Sequence, residues 1–272
     1  MPAPDTITVS QLVRLIGLSD APVLLDVRTH EDFTADPRTL PGAVRRDWQG
    51  APHWAAEHAG QSVAVVCQRG HKLSQGAAAW LRHAGIQAES LEGGFEAWAA
   101  AGAPLVRPDC VPPRDGRGRT VWVTRARPKV DRIACPWLIR RFVDPGAVFL
   151  FVAPSEVQAV ADRFGATPFD VEGVFWSHRG PLCTFDAMLD EFGLHAPALD
   201  RLALIVRGAD TAQPGLAPEA AGLLAASLGL SRIYRDDLAQ LEAGLALYDA
   251  FYRWARDAVD EVHNWPARAT AS

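Results

Sequence analysis

The sequence predicts two folded units in succession: an α/β domain built on a parallel sheet, then an α+β domain whose C-terminal half is mostly helical. Three observations carry this. Over the first hundred or so residues, short apolar runs alternate with helix-patterned segments, the signature of strands joined by helical crossovers. Beyond residue 120 strand patterns thin out and helical spacing takes over. Between the two lies RPDCVPPRDGRGRT (residues 107–120), rich in Pro, Gly and charge and without apolar periodicity. The charge balance also changes there: residues 1–105 carry 8 basic and 11 acidic side chains, 106–141 carry 10 and 3, and 142–272 carry 9 and 18. The expected division is therefore a first domain at 1–105, a linker at 106–119, a second domain at 120–266 and a tail at 267–272.

Taken in order, residues 9–16 have helical spacing, and Val23-Leu24-Leu25 reads as a buried strand. A second buried strand is Val63-Ala64-Val65-Val66, followed by a helix at 74–83 and, after the turn Gly93-Gly94, a helix at 95–101. In the second unit, Val121-Trp122-Val123-Thr124, residues 148–152 and Val174-Phe175-Trp176 read as strands. Helices are expected at 131–142, 155–164, 184–192, 197–206, 218–228 and 238–262.

The chain has 272 residues, 49% apolar and 22% charged, with a net charge of -5, so neither disorder nor a surface built wholly for nucleic acid is expected. Its 4 cysteines, Cys67, Cys110, Cys135 and Cys183, are too few and scattered for a disulfide scaffold. There is no secretory signal pattern at the N-terminus and no run of about 18 uncharged apolar residues. A reduced, cytoplasmic protein with no membrane partner is the expectation. The long apolar C-terminal helices fit either a homodimer or a closed intramolecular bundle.

The most informative segment is Val65-Val66-Cys67-Gln68-Arg69-Gly70-His71-Lys72-Leu73-Ser74. A buried strand ends, a cysteine follows at once, then a short loop with Gly and basic residues, then a helix. The loop amides and the helix N-terminus can converge on the sulfur and favour an anion there, and Arg69, His71 and Lys72 add positive potential. Such a setting makes a nucleophilic sulfur for an anionic substrate. The plainer alternative is that Cys67 is a small buried hydrophobe at a strand end.

Residues 8–106 resemble a rhodanese domain. Besides the cysteine loop, the resemblance rests on Leu24-Leu25-Asp26-Val27-Arg28 with Glu31-Asp32-Phe33, on Leu40-Pro41-Gly42-Ala43, and on Leu91-Glu92-Gly93-Gly94-Phe95-Glu96-Ala97-Trp98. It implies that Cys67 takes the outer sulfur of a donor such as thiosulfate as a persulfide and passes it to cyanide or a thiol, with no cofactor required. Gln68, Arg69, Gly70, His71 and Lys72 would form the substrate loop, and Asp26 and Arg28 would brace it. The loop from Cys67 to Lys72 has six residues, and Leu73 stands where related phosphatases need arginine. Gln68 stands where rhodaneses usually have arginine.

In the second unit, TRARPKVDRIACPWLIRRF (residues 124–142) concentrates positive charge where a strand should give way to a helix. Downstream, Trp176-Ser177-His178-Arg179-Gly180, Cys183-Thr184-Phe185-Asp186 and Arg207-Gly208-Ala209-Asp210-Thr211 all fall at element ends. Polar groups on one rim suggest a site comprising Arg125, Lys129, Asp131, Arg132, Cys135, His178 and Asp210. His178, Asp210 and Asp131 could bind a divalent metal, or the arginines could cradle an oxyanion. The plainer alternative makes Asp131 and Asp186 helix caps and the arginines ordinary ion-pair partners.

Residues 120–256 resemble the C-terminal domain of ChrB-type chromate-resistance proteins. The matching stretches are TRARPKVDRIACPWLIRRFVDP, Phe175-Trp176-Ser177-His178-Arg179-Gly180, RGADT, Ala221-Gly222-Leu223-Leu224 and Ser227-Leu228-Gly229-Leu230-Ser231. The resemblance implies a domain that senses or handles chromate, another oxyanion or a metal. In that family a different N-terminal portion is credited with DNA binding. The rhodanese-like segment takes its place here, so nucleic acid is not an expected partner. The two resemblances together imply a sulfurtransferase linked to a chromate-resistance domain, the alternative being a non-enzymatic chromate- or metal-responsive protein.

Overall fold

The computed structural model describes residues 5–261. The expected helix end at residue 262, the boundary at 266 and the tail at 267–272 lie outside the described residues. In the first unit, β1 (Thr6–Ile7), β2 (Val23–Asp26), β3 (Val44–Arg45), β4 (Ser62–Val66) and β5 (Gln87–Leu91) form one parallel sheet in the order β1-β5-β4-β2-β3. Between the strands run α1 (Val9–Leu15), α2 (His30–Ala35), α3 (Ala51–Trp54), α4 (Lys72–His83) and α5 (Gly94–Ala100). The strands β1, β3 and β5 have no clear apolar alternation in sequence, which is why pattern reading does not find them.

The pleat divides the core. In β2, Leu24 and Leu25 face opposite sides, as successive strand residues must. In β4, Val63 and Val65 point with Cys67 into a cluster closed by Ala77, Ala78 and Leu81 of α4. Ala64 and Val66 point the other way, toward Leu12 and Ile16 of α1 and its continuation and Phe95 and Trp98 of α5. That second cluster runs on without a break into the second unit, through Trp137, Phe142 and Tyr252.

The second unit has a smaller parallel sheet, β7-β6-β8, from β6 (Val121–Arg125), β7 (Val148–Val152) and β8 (Thr167–Pro168). Its helices are α6 (Asp131–Leu138), α7 (Val157–Phe164), α8 (Thr184–Phe192), α9 (Pro197–Asp210), α10 (Ala220–Ile233) and α11 (Asp237–Asp257). A π-helical turn, Ile139–Val143, continues α6. The expected strand Val174-Phe175-Trp176 is not one: only Trp176 makes an isolated bridge, to Phe169. The third place in the sheet goes to β8, and the apolar run instead serves packing, with Trp176 stacked on Phe192 at 4.9 Å.

The segment joining the units is pinned at several points. Val106 and Thr39 exchange two backbone hydrogen bonds, and the Arg107 N–H donates to the Phe192 carbonyl at 3.0 Å. The Asp115 carboxylate then closes a tight turn by accepting from the Arg117 and Arg119 amides at 2.8 and 2.9 Å. Among the described residues, no helix is long and apolar enough to cross a membrane.

Candidate functional site

Cys67 follows the last residue of β4, and Ser74 lies one turn into α4; Cys67 Sγ and Ser74 Oγ are 3.1 Å apart. The intervening loop is held by backbone contacts to the start of α5: the Phe95 and Glu96 amides donate to the carbonyls of Cys67 and Gln68 at 2.9 and 3.0 Å. This requires two glycines packed back to back. Gly70 has φ of +69 and Gly94 has φ of +60, and a Cβ at Gly94 would lie 2.2 Å from the Cys67 carbonyl oxygen and 2.4 Å from the Gly70 nitrogen. The sequence Gly93-Gly94-Phe95 is thus the other wall of the cysteine loop. Gln68 and Arg69 both reach Glu96, each at 3.2 Å, while His71 and Lys72 are exposed at the N-terminus of α4. Cys67 itself is only 4% exposed.

Asp26, at the end of β2, and Arg28 form a buried pair, with the Arg28 Nη2 to Asp26 Oδ2 distance 2.7 Å and side-chain exposures of 0% and 1%. The Arg28 guanidinium also donates to the Asp36 and Arg38 carbonyls and lies 3.9 Å from the Phe95 ring centre. At the same end of the sheet, a groove of about 520 Å³ is lined by Arg28, His30, Arg45, Arg46 and Trp48.

The second constellation stands where four elements of the second unit converge. Asp131 opens α6, Asp170 follows β8, His178 lies in the loop before α8, and Asp210 ends α9. His178 Nε2 is 3.6 Å from Asp131 Oδ2, 3.4 Å from Asp170 Oδ1 and 3.2 Å from Asp210 Oδ2. Arg125, at the end of β6, and Arg132, in the first turn of α6, reach Asp170 Oδ2 at 3.2 and 3.3 Å. Thr184, first in α8, ties the group together: its N–H donates to Asp131 at 2.7 Å and its hydroxyl to Asp170 at 2.9 Å. The backbone beside these groups is strained, with Arg127, Val130 and Asp170 at φ of 59, 41 and 51.

Several atoms here are buried without hydrogen-bond partners: Asp131 Oδ1, Thr124 Oγ1, Arg125 Nε and Arg132 Nε. Burial, and then the Asp210 and Asp170 charges, push the Asp131 carboxyl well above the usual carboxylate range. Burial and Asp170 likewise raise Asp210. Burial works to raise Asp170 too, but the His178 and Thr184 hydrogen bonds and the two guanidinium groups hold it low. The hydrogen bond to Asp170, against the cost of burial, lifts His178 to about 9.

The structure brings together Arg125, Asp131, Arg132, His178 and Asp210 of the residues singled out from sequence, and adds Asp170 and Thr184. Thr184 lies in the Cys183-Thr184-Phe185-Asp186 stretch already placed at a helix start, but sequence offered no motif for Asp170, which sits in an ordinary-looking Phe169-Asp170-Val171 after a two-residue strand. Asp131 is not a cap, since its carboxylate bonds across to α8. Asp186 is one, accepting the Cys183 amide at 3.0 Å. Cys135 is fully buried, and Lys129 lines a separate hollow with Ile133, Gln240 and Tyr248.

Both units match known families. Residues 8–101 match the rhodanese-like domain and residues 122–255 the ChrB, C-terminal domain. The chain therefore joins a rhodanese-like domain to a ChrB C-terminal domain. Protein ChrB of Cupriavidus metallidurans is 37% identical over 142 residues, which is 52% of this chain and 42% of that protein. The chain thus spans less than half the length of that relative. A rhodanese-related protein from Thermoplasma volcanium covers 37% of this chain and 96% of its own at 22% identity and a TM-score of 0.33. A rhodanese-like domain protein from Staphylococcus aureus covers 35% and 90% at 28% identity and a TM-score of 0.31.

Proposed function

We propose that the chain is a sulfurtransferase of rhodanese type whose second domain senses or handles chromate, a similar oxyanion or a metal ion. The observation that carries the first part is the seat of Cys67 at the foot of a six-residue loop, with Ser74 Oγ 3.1 Å from its sulfur. The Cys67 thiolate attacks the outer sulfur of thiosulfate; the donor's S–S bond breaks and sulfite leaves with the electron pair. The persulfide so formed yields its outer sulfur to cyanide or a thiol, restoring the thiolate. No cofactor enters. Arg69, His71 and Lys72 on the rim, and Arg45 and Arg46 in the neighbouring groove, favour an anionic donor. Gln68 and Gly70 shape the loop, and the buried Asp26–Arg28 pair braces it.

In the second domain, the unpartnered Nε of Arg125 and the guanidinium of Arg132 beside a protonated His178 favour an oxyanion such as chromate.

Mass spectrometry of the protein after thiosulfate treatment tests the sulfur chemistry. The wild type should gain one sulfur atom, mapped to Cys67, and Cys67→Ala should gain none. No adduct, or an equal adduct in both, ends this reading. A non-enzymatic chromate- or metal-responsive role is favoured by one observation, the 4% exposure of Cys67, since reactive thiols are generally more open. In that case Cys67→Ala leaves chromate protection of cells intact.

A further inference from the structure

We infer that the second domain holds one divalent cation, ligated by His178 Nε2 and by one carboxylate oxygen each from Asp131 and Asp170, with Asp210 beside His178. This deepens the metal arm of the second-domain reading and is independent of sulfur transfer at Cys67. Ligand atoms arranged tetrahedrally at roughly 2.1 Å from one ion stand about 3.4 Å from each other. The three carboxylate oxygens lie 3.2, 3.4 and 3.6 Å from the single imidazole nitrogen. The Asp131, Asp170 and His178 ligand atoms also fall within 4.8 Å of one another.

Hydrogen bonding alone does not account for this convergence. An imidazole N–H satisfies one acceptor, whereas three carboxylates from three elements surround it. Asp131 is 0% exposed, and its Oδ1 has no hydrogen-bond partner, an arrangement that costs free energy until a cation or proton arrives. The two arginines pair with Asp170, leaving Asp131 and Asp210 without an arginine.

The donor set defines the class of ion. Two carboxylate oxygens and one imidazole suit a borderline or hard divalent cation, such as zinc, manganese or ferrous iron. Thiolate ligation is not part of the site, although Cys135 and Cys183 are near enough for Asp131 to act on both. His178, with 41% of its side chain exposed, gives the ion a way in. An oxyanion held by Arg125 and Arg132 would then lie beside the ion rather than against a protonated imidazole.

The test uses the full chain, stripped with a chelator and titrated separately with zinc and with manganese. Elemental analysis after desalting should give one ion per chain, and X-ray absorption should show nitrogen and oxygen neighbours only. His178→Gln, at an exposed position, should keep its melting curve and weaken binding at least about tenfold. Asp170→Asn should do the same if it folds, and Cys67→Ser should bind as wild type does. Absence of a stoichiometric ion, sulfur in the coordination shell, or undiminished binding by folded His178→Gln would each overturn the site. The sulfur adduct at Cys67 is read separately, so either idea can fail alone.

Discussion

Gly17, just past α1, lies against Tyr252 of α11 so closely that a Cβ there would come within 2.6 Å of Tyr252 Cε1 and 2.6 Å of Phe142 Cζ. The contact is between the two domains. Nearby, the Arg256 guanidinium donates to the Val13 and Ile16 carbonyls, and the Gly42 N–H donates to the Phe142 carbonyl at 2.6 Å. Gly17 also has φ of +82. Gly17→Ala should therefore cost about 2–4 kcal/mol, from overpacking and backbone strain together. Because the apolar cluster is continuous, wild type should melt in one transition. Two well-separated transitions in calorimetry would contradict the shared core.

Removing Arg28 should strand Asp26 in the core. Arg28→Ala is expected to destabilise by about 3–5 kcal/mol, since a buried carboxylate loses its partner. Loss of the cation–aromatic contact with Phe95 adds to this. Urea unfolding measures it, and a loss under about 1 kcal/mol would show that the pair is not buried in solution.

Ser74→Ala tests what the hydroxyl does for the sulfur. The substitution removes the contact with the sulfur and a 3.3 Å hydrogen bond to the His71 carbonyl, so persulfide formation should slow roughly fivefold at a stability cost of about 1 kcal/mol. Single-turnover mass spectrometry with thiosulfate gives the rate. An unchanged rate would make Ser74 a packing residue only.

The thiols should label in a fixed order. Cys110 is half-buried, with its thiol raised by burial and by Asp109. Burial, and next Asp131, hold Cys135 and Cys183 far above the ordinary thiol range. Iodoacetamide at mildly alkaline pH should modify Cys110 first and Cys67 more slowly. Cys135 and Cys183 should react only after denaturation. Thiosulfate should protect Cys67 alone.

Asp115 sets an acid limit on the interdomain turn. The Arg119 side-chain hydrogen bond, followed by the Arg119 amide, lowers its carboxyl from 3.8 to about 2. A carboxyl depressed by folding stabilises fully above its unfolded value, and the contribution disappears as pH falls through the folded one. Asp115→Asn should therefore melt slightly below wild type at neutral pH, and the two curves should converge as pH drops from 3.8 toward about 2. A gap that persists unchanged in acid would assign the effect to something other than this charge.

Much of the cysteine site was legible because its parts are consecutive. A buried run, Cys67, a basic turn and a helix follow one another within about ten residues, and local geometry does the rest. The element boundaries there needed only small changes, α4 beginning at Lys72 rather than 74. Reading the Gly93-Gly94 pair as a turn was correct but incomplete, because its role against Gly70 depends on β5 lying beside β4. The short strands β1 and β3 owe their existence to neighbours, and a two-residue pairing leaves no periodicity to detect.

The second domain separates the two kinds of information further. By itself the sequence placed His178, Asp131 and Asp210 at element ends as candidate site residues, and determined that Val121-Trp122-Val123-Thr124 was a buried strand. Only tertiary structure decided that Asp170 joins them and that Cys135 is sealed away. It also decided that Asp131 looks across to α8 instead of capping its own helix. The reason is physical. Hydrophobic period and turn chemistry act over a few residues and are written locally. The convergence of four side chains spread over 80 positions depends on how helices and a small sheet pack, which no local pattern encodes.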